Sequence, residues 1–375
     1  MKILLDPQIF NLQKYGGISR YYTEIFTRLS TNGNIKLDLP IYYSENAYFL
    51  ESNLYKKKYK TEHFLFKFLN KLGISTKSIF RKKNNKIAGS FFSNKEFDLF
   101  VPTYYNDYFL KEIGKKPYVL TVYDMIHEIF PEYFVNDQFL VAKNKLKLMQ
   151  NSARIIAVSE NTKKDILKIY PQISAEKIDV VYHGNSIVIN ESVDIYLPKN
   201  YILFVGSRPN YKNFYFLVES IKELLSSSSD LVLVCAGGGE FNKEEIDFIA
   251  NLYLQNKIFQ KHFHENELGM FYKKAKCFVF PSLYEGFGIP VLESMACGCP
   301  IILSNHSSFP EVAGNAGVYF EINNSKDLKN KIEIILNDKI IRKKYSDLGL
   351  EQVKKFDWNI AAEQCFEVYK KAVSN

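Results

Sequence analysis

Short, almost unbroken apolar runs alternate with amphipathic stretches along nearly the whole chain. Runs at Ile3–Asp6, Leu99–Pro102, Tyr118–Tyr123, Arg154–Val158, Asp179–Tyr182, Tyr201–Val205, Leu231–Cys235, Cys277–Phe280 and Pro300–Leu303 predict strands. Their continuity, in place of an in-out alternation, suits parallel strands covered on both faces. Between them, Ile18, Tyr21, Tyr22, Ile25, Phe26 and Leu29 fall on one helical face. Asn161–Tyr170 predicts a shorter helix, with Ser159 as its N-cap and Pro171 as its stop. Repeated strand-helix units predict two α/β domains, each a Rossmann-like doubly wound parallel sheet. The polar, proline-containing stretch Asn190–Asn200 breaks the pattern. The expected division is therefore 1–190, a linker at 191–200, a second domain at 201–355, and a terminal helix within 356–375. That last helix is expected to pack back on the N-terminal domain. Paired sheets of this kind bind ligands in a crevice beyond the carboxyl ends of their strands, where the domains face each other.

A length of 375 residues, with 46% hydrophobic and 24% charged positions, agrees with two globular domains. Met1–Asp6 reads directly as a strand, not as a leader, and no apolar run approaches the roughly 18 residues of a spanning helix. The expected location is the cytoplasm. The five cysteines contain no Cys-x-x-Cys pair and four sit in or beside apolar segments, which points to buried thiols in a reducing compartment.

Charge changes the picture in one place. Lys56–Lys95 carries twelve Lys/Arg against one acid, Glu62, so its +11 exceeds the net +8 of the chain. With Phe64, Phe66, Phe68 and Phe80 interleaved, the segment suits an anionic membrane surface, here the inner leaflet. The bland alternative is a solvated basic face. Basicity confined to one segment, without a recognised module, argues against nucleic acid.

The densest chemistry lies in Pro281–Pro300, PSLYEGFGIPVLESMACGCP. A strand ends, Glu285-Gly286-Phe287-Gly288 forms a loop, and a helix starts near Pro290 and stops at Gly298. Such a junction offers backbone N–H groups and a positive dipole end to an anion. Glu285 and Glu293, eight residues apart, add carboxylates that suit sugar hydroxyls. Taken singly, they would be a solvated loop acid and a dipole partner. Phe204–Asn213, FVGSRPNYKN, brings Arg208 and Lys212 to a strand's carboxyl end, where two cations can balance a diphosphate. Tyr15-Gly16-Gly17-Ile18, after the first strand, permits close backbone approach to a ligand, or is a plain tight turn.

Together with Thr121–Ile126, Val158–Asp165 and Phe309-Pro310-Glu311-Val312, these pieces resemble the family 4 glycosyltransferases, in the family's order. The resemblance implies the GT-B fold, retention of anomeric configuration, and a nucleotide diphosphate sugar donor, GDP- or UDP-linked, without tightly bound cofactor or metal. It implies that Arg208 and Lys212 hold the donor diphosphate, Glu285 the transferred sugar and Glu293 the ribose. The backbone of Gly286, Phe287 and Gly288 would line the donor, and Gly16 and Gly17 would approach it from the N-terminal, acceptor-side domain. The acceptor would be a glycan or a lipid-linked saccharide in bacterial surface polysaccharide (O-antigen or capsule) assembly. Many relatives place a His immediately before the Asp of the fourth segment. This chain has Tyr123-Asp124 with His127 three residues on, so any of the three is a candidate sugar or acceptor contact.

Other readings make different demands. An epimerase would act on donor alone, and a phosphorylase needs a pyridoxal lysine. A dinucleotide oxidoreductase needs more than Ala236-Gly237-Gly238-Gly239, which lacks the full Gly-x-Gly-x-x-Gly spacing. A glycosidase would use Glu285 and Glu293 without nucleotide. A non-catalytic, membrane-associated sugar-binding protein would bind without turnover.

Overall fold

The computed structural model describes residues 1–33, 35–41, 43–55, 69, 77–94, 96–135, 138–208 and 210–374. The chain forms two units, Met1–His183 with Trp358–Asn375, and Gly184–Asp357.

The strands of the first unit are β1 (Lys2–Leu5), β2 (Lys36–Asp38), β3 (Leu99–Val101), β4 (Val119–Val122), β5 (Arg154–Ala157) and β6 (Ile178–Val180). All pairings are parallel, in the orders β2-β1-β3 and β4-β5-β6, and a single bridge from Phe100 to Tyr118 links the two sets. From β1 the chain reaches β2 on one flank and β3 on the other. The carboxyl ends of β1 and β3 are therefore a topological switch point, where loops diverge and a crevice opens.

The helix Gly17–Thr31 buries Tyr21, Tyr22, Ile25, Phe26 and Leu29, the face set by the apolar spacing. The terminal helix Trp358–Ser374 lies against it. Phe26 stacks on Tyr369 with ring centroids 6.0 Å apart, and Arg28 Nε donates to Asn359 Oδ1 at 3.0 Å. Ser159 accepts from Thr162 N to cap the helix Glu160–Ile169.

The second unit holds β7 (Tyr201–Val205), β8 (Val232–Ala236), β9 (Ile258–Lys261), β10 (Cys277–Phe280), β11 (Ile301–Ser304) and β12 (Gly317–Phe320). Its six strands run parallel in the order β12-β11-β10-β7-β8-β9. The order reverses between β7 and β10, and every residue of both strands is buried. Phe214, Leu217, Val218, Ile221 and Leu225 of the helix Phe214–Ser227 enter the same core as Leu328, Ile332 and Ile335.

Three strands go beyond the sequence reading: β2, β9 and β12, each at a sheet edge. An edge strand has one flank in solvent, so Lys36, Gln260 and Lys261 are tolerated there and the apolar run is broken. The segment expected as a linker, 191–200, falls with the second unit. Upstream of it, Asn185 N donates to Phe356 O, and Gly269 lets Val188 O approach where a Cβ would stand 2.4 Å away. Most of residues 56–76, the core of the basic segment with Phe64, Phe66 and Phe68, lie outside the described residues. Within 77–94, Lys82, Lys83 and Lys86 are exposed while Ala88 and Phe92 are buried. Among the described residues no helix is long and apolar enough to cross a membrane. All five cysteines are buried thiols.

Two buried titratable groups of the first unit oppose each other. Asp6, at the end of β1, is fully buried, and desolvation lifts its carboxyl from 3.8 to about 6 although Tyr108 Oη bonds it at 2.7 Å. Burial lowers His183 from 6.5 to about 3. Between pH 4 and 6 the folded chain holds the Asp6 proton that the unfolded chain has released, so this term weakens stability as pH rises. His183 does the reverse: the unfolded chain binds its proton first, so stability falls as pH drops below 6.5. Asp6→Asn removes one side of this balance, a pH-dependent term of about 3 kcal/mol. Thermal unfolding from pH 7 to 4 should show a steeper acid loss in the variant than in the parent chain, and a parallel pair of curves would refute the assignment.

Candidate functional site

At the reversal point of the second sheet the loops after β7 and β10 meet. Leu283 N donates to Tyr211 O at 2.8 Å, tying them together. Across this tie Lys212 Nζ stands 2.5 Å from Glu285 Oε1, with side-chain exposures of 15% and 14%. The ammonium also sits 5.0 Å from the Phe280 ring centroid and 5.1 Å from that of Tyr211. A cation and a carboxylate are thus presented together, partly shielded, at the edge where open α/β sheets bind ligands.

The loop holding Glu285 is clasped from the next loop along. Glu285 N donates to Ser307 Oγ at 3.0 Å, and Ser307 donates back to Glu285 O. Ser308 Oγ reaches Glu285 O at 2.9 Å and Phe287 O at 3.0 Å, while Ser304 Oγ holds Ser282 O at 2.9 Å. Ser307 takes a left-handed φ of 58° to make its two bonds. Gly288, at φ 94°, turns the chain into the helix Ile289–Ala296, with Pro290 in its first turn. The Phe287 ring packs edge-on to Phe356, and Gly286, Phe287 and Gly288 are all buried. The N-terminus of an eight-residue helix therefore opens from the loop bearing Glu285.

Glu293 lies inside that helix, 5% exposed, and accepts from Tyr272 Oη at 3.0 Å. Burial, reinforced by this carboxylate, holds the Tyr272 hydroxyl well above its ordinary range, so it stays a donor.

Arg208 departs from the expected pairing with Lys212. It is 2% exposed, its Nε bonds Glu245 Oε1 at 2.9 Å, and its terminal nitrogens reach Gly237 O, Gly239 O and Glu240 O. The guanidinium rests 4.8 Å from the centroid of Phe241. Gly-Gly-Gly after β8 is thus wrapped around a guanidinium. A Cβ at Gly238, φ 72°, would stand 2.3 Å from Gly206 O.

In the first unit, Gly16 is extended at φ 165°, and the place of its missing Cβ is filled by the Gln13 amide, whose oxygen accepts from Ser19 N. Gly17 opens the helix. Tyr123 is 7% exposed, its ring edge-on to Tyr21 and Tyr22 in the core. Asp124 Oδ1 accepts from Ile126 N, and buried Lys145 reaches Asp124 O and Glu128 Oε2 at 3.0 and 2.9 Å. The His127 ring lies 4.1 Å from that of Phe134. Among the described residues there is no group of three or more His, Cys, Asp or Glu placed to hold a metal ion.

Lys212 and Glu285 are therefore brought into contact, Glu293 is further along the same helix, and Arg208 is turned into the protein. Sequence reasoning missed the serine clasp, Glu245, Tyr272 and Lys145. The clasp had a signal: Ser307-Ser308 immediately precede the Phe309-Pro310-Glu311-Val312 motif.

Two Rossmann-like units of parallel strands make up the GT-B fold. Sucrose-phosphate synthase from Thermosynechococcus elongatus superposes with a TM-score of 0.73 at 17% identity over 98% of each chain. Anabaena HepE in complex with UDP and glucose gives 0.71 at 17% identity over 98% of this chain and 99% of that one. Residues 186–352, which include every second-unit residue of the site, match the family model of glycosyl transferases group 1. The chain is a glycosyltransferase. It is 31% identical over 217 residues to the O-antigen chain mannosyltransferase RfbU of Salmonella typhimurium, covering 58% of this chain and 60% of that protein. It is 25% identical over 375 residues to O-antigen chain mannosyltransferase B of Escherichia coli, covering 94% and 96%.

The two cation–carboxylate pairs should respond differently to truncation. Arg208→Ala leaves Glu245 buried and uncompensated, which costs about 3–5 kcal/mol. Lys212→Ala breaks a pair nearer solvent and should cost about 1 kcal/mol. Urea unfolding followed by Tyr fluorescence separates them, and equal losses would contradict the difference in burial.

Proposed function

We propose that the chain is a family 4, retaining hexosyltransferase that moves a hexose from a nucleotide diphosphate donor to a glycan or lipid-linked acceptor in bacterial surface polysaccharide assembly. The observation that carries this reading is the Lys212–Glu285 pair at the β7/β10 switch point, beside a helix N-terminus. A lone anion would be repelled by Glu285, and a lone sugar would have no use for Lys212. A diphosphate joined to a sugar satisfies both, the phosphates meeting Lys212 and the helix, the hydroxyls meeting Glu285. Lys212 then stabilises charge that grows on the leaving diphosphate, and that oxygen helps to take the acceptor proton. Glu293 and Tyr272 offer a carboxylate–hydroxyl pair for the ribose.

Arg208 acts in this scheme through the loop it holds. Its guanidinium would have to leave Glu245 and the Gly237–Glu240 carbonyls to reach a phosphate itself. Gly16 and Gly17 form the loop of the N-terminal unit assigned to the donor. The mannosyl transfer named for both O-antigen relatives favours mannose from a GDP donor here.

Purified protein is to be titrated with GDP and UDP in a thermal-shift assay. A ligand at 100 times its Kd stabilises by about 2.7 kcal/mol. Stabilisation by GDP is expected; UDP alone would overturn the mannosyl reading, and neither would overturn the donor site. Glu285→Ala should lower transfer by about 100-fold or more while leaving the nucleotide shift within a few-fold of the parent. Retained full activity would remove Glu285 from the mechanism.

A further inference from the structure

The glycine turn of the first unit is built around a side chain from outside it. Gly16 has a φ of 165°, extended backbone that any residue can adopt, so conformation does not call for a glycine there. Space does. A Cβ on Gly16 would stand 2.3 Å from Gln13 Oε1, 2.5 Å from its Cδ and 2.8 Å from its Nε2. The Gln13 amide fills the place that a side chain at Gly16 would take.

That amide also supplies what Gly16 lacks. Gly16 is the N-cap of the 15-residue helix Gly17–Thr31 and has no side chain with which to cap it. Gln13 Oε1 accepts from Ser19 N at 3.1 Å, the helix N–H that a capping Ser or Asp would take. Arg20 N bonds Gly16 O at 3.1 Å, and Ser19 Oγ donates to the same carbonyl at 3.0 Å. Gly17 N and Ile18 N make no bond among the described residues. The helix is thus capped from the side, and its first N–H groups stay open.

The capping residue has a fixed base. Fully buried Asn46 donates from Nδ2 to Gln13 O at 2.8 Å, and its Oδ1 accepts from Phe49 N at 2.9 Å. Beside it, Ala47 N donates to Lys14 O at 3.0 Å, while Gln13 N bonds Ile9 O at 3.0 Å. The choice of an amide matters as well. A carboxylate would suit the positive end of the helix better, but its charge would compete with an anionic ligand for that end. An amide caps the helix and leaves its field unspent.

We propose that Gln13 is a positioning residue of the transfer: its neutral amide caps the helix Gly17–Thr31 and holds the Gly16-Gly17 turn open to the donor diphosphate. The proposal rests on the reading that this turn meets the donor. GDP, UDP, GDP-mannose and UDP-glucose are titrated into the full chain by isothermal calorimetry, and each variant is unfolded in urea alongside. Gln13→Glu keeps the size of the side chain and its acceptor oxygen, so its unfolding midpoint should match or exceed that of the parent. Its affinity for the ligand that the parent binds most tightly should fall about tenfold, because the cap now carries the donor's own sign of charge. A purely structural cap would leave that affinity unchanged. Gly16→Ala tests the geometry. In the parent background the added methyl displaces the amide and should weaken binding about tenfold; in a Gln13→Ala background the space is empty, and no further loss should follow. Parent-like affinity in Gln13→Glu, or an equal loss from Gly16→Ala in both backgrounds, would overturn the role of Gln13 and leave the donor site standing. A parent chain that binds none of the four ligands would overturn the donor reading, and this role with it.

Discussion

The adjacency of β7 and β10 is the constraint on which the charged site depends. In an all-parallel sheet the crossovers must pass over a face, and a reversal of strand order sends successive crossovers to opposite faces. The loops after β7 and β10 therefore part company at the sheet edge, and neither is covered by the other's helix. Full burial of both strands makes their pairing the least negotiable part of the unit. Core packing thus sets the positions of Lys212 and Glu285, which are 73 residues apart in sequence. The serine clasp adds the finer control. Three hydroxyls replace the backbone ladder that a loop lacks, and they bind main-chain atoms, leaving the Glu285 carboxylate for chemistry.

The two cation–carboxylate pairs of the second unit differ in burial. Arg208 and Glu245 are 2% exposed and bonded on several sides, so separating them would strand two charges away from water. Lys212 and Glu285, with side-chain exposures of 15% and 14%, lie nearer solvent. The pair neutralises both groups and keeps the ammonium over two aromatic rings.

This division also shows what a sequence can reveal. β7 and β10 were readable because burial on both faces demands an unbroken apolar run, and both match their predicted limits. Edge strands β2 and β9 were not, because one solvent flank relaxes that demand, whereas β12 was missed although its run, Gly317–Phe320, is apolar and mostly buried. The glycine turn and helix start at Gly288–Pro290 were legible from backbone chemistry alone. The partner of Arg208 was not: nothing beside a strand end announces a bond to Glu245, 37 residues away. Tyr123 illustrates the same limit, since its place among Tyr21, Tyr22 and Tyr105 is a property of three separate segments.

The two sheets reach their ligand edges by the same topological device yet furnish them differently. At β7/β10 the furniture is a cation–carboxylate pair and a helix end, whose attraction for an anionic group would strengthen as negative charge accumulates. At β1/β3 the described residues are mainly rings and amides, among them Tyr104, Tyr105, His127, Asn11, Asn106 and Asn144. Beneath that edge, hydrogen bonds from Gln8 to Asp6 and from Asn106 to Gln8 join the loops after β1 and β3, so that side chains and not charge set where they stand.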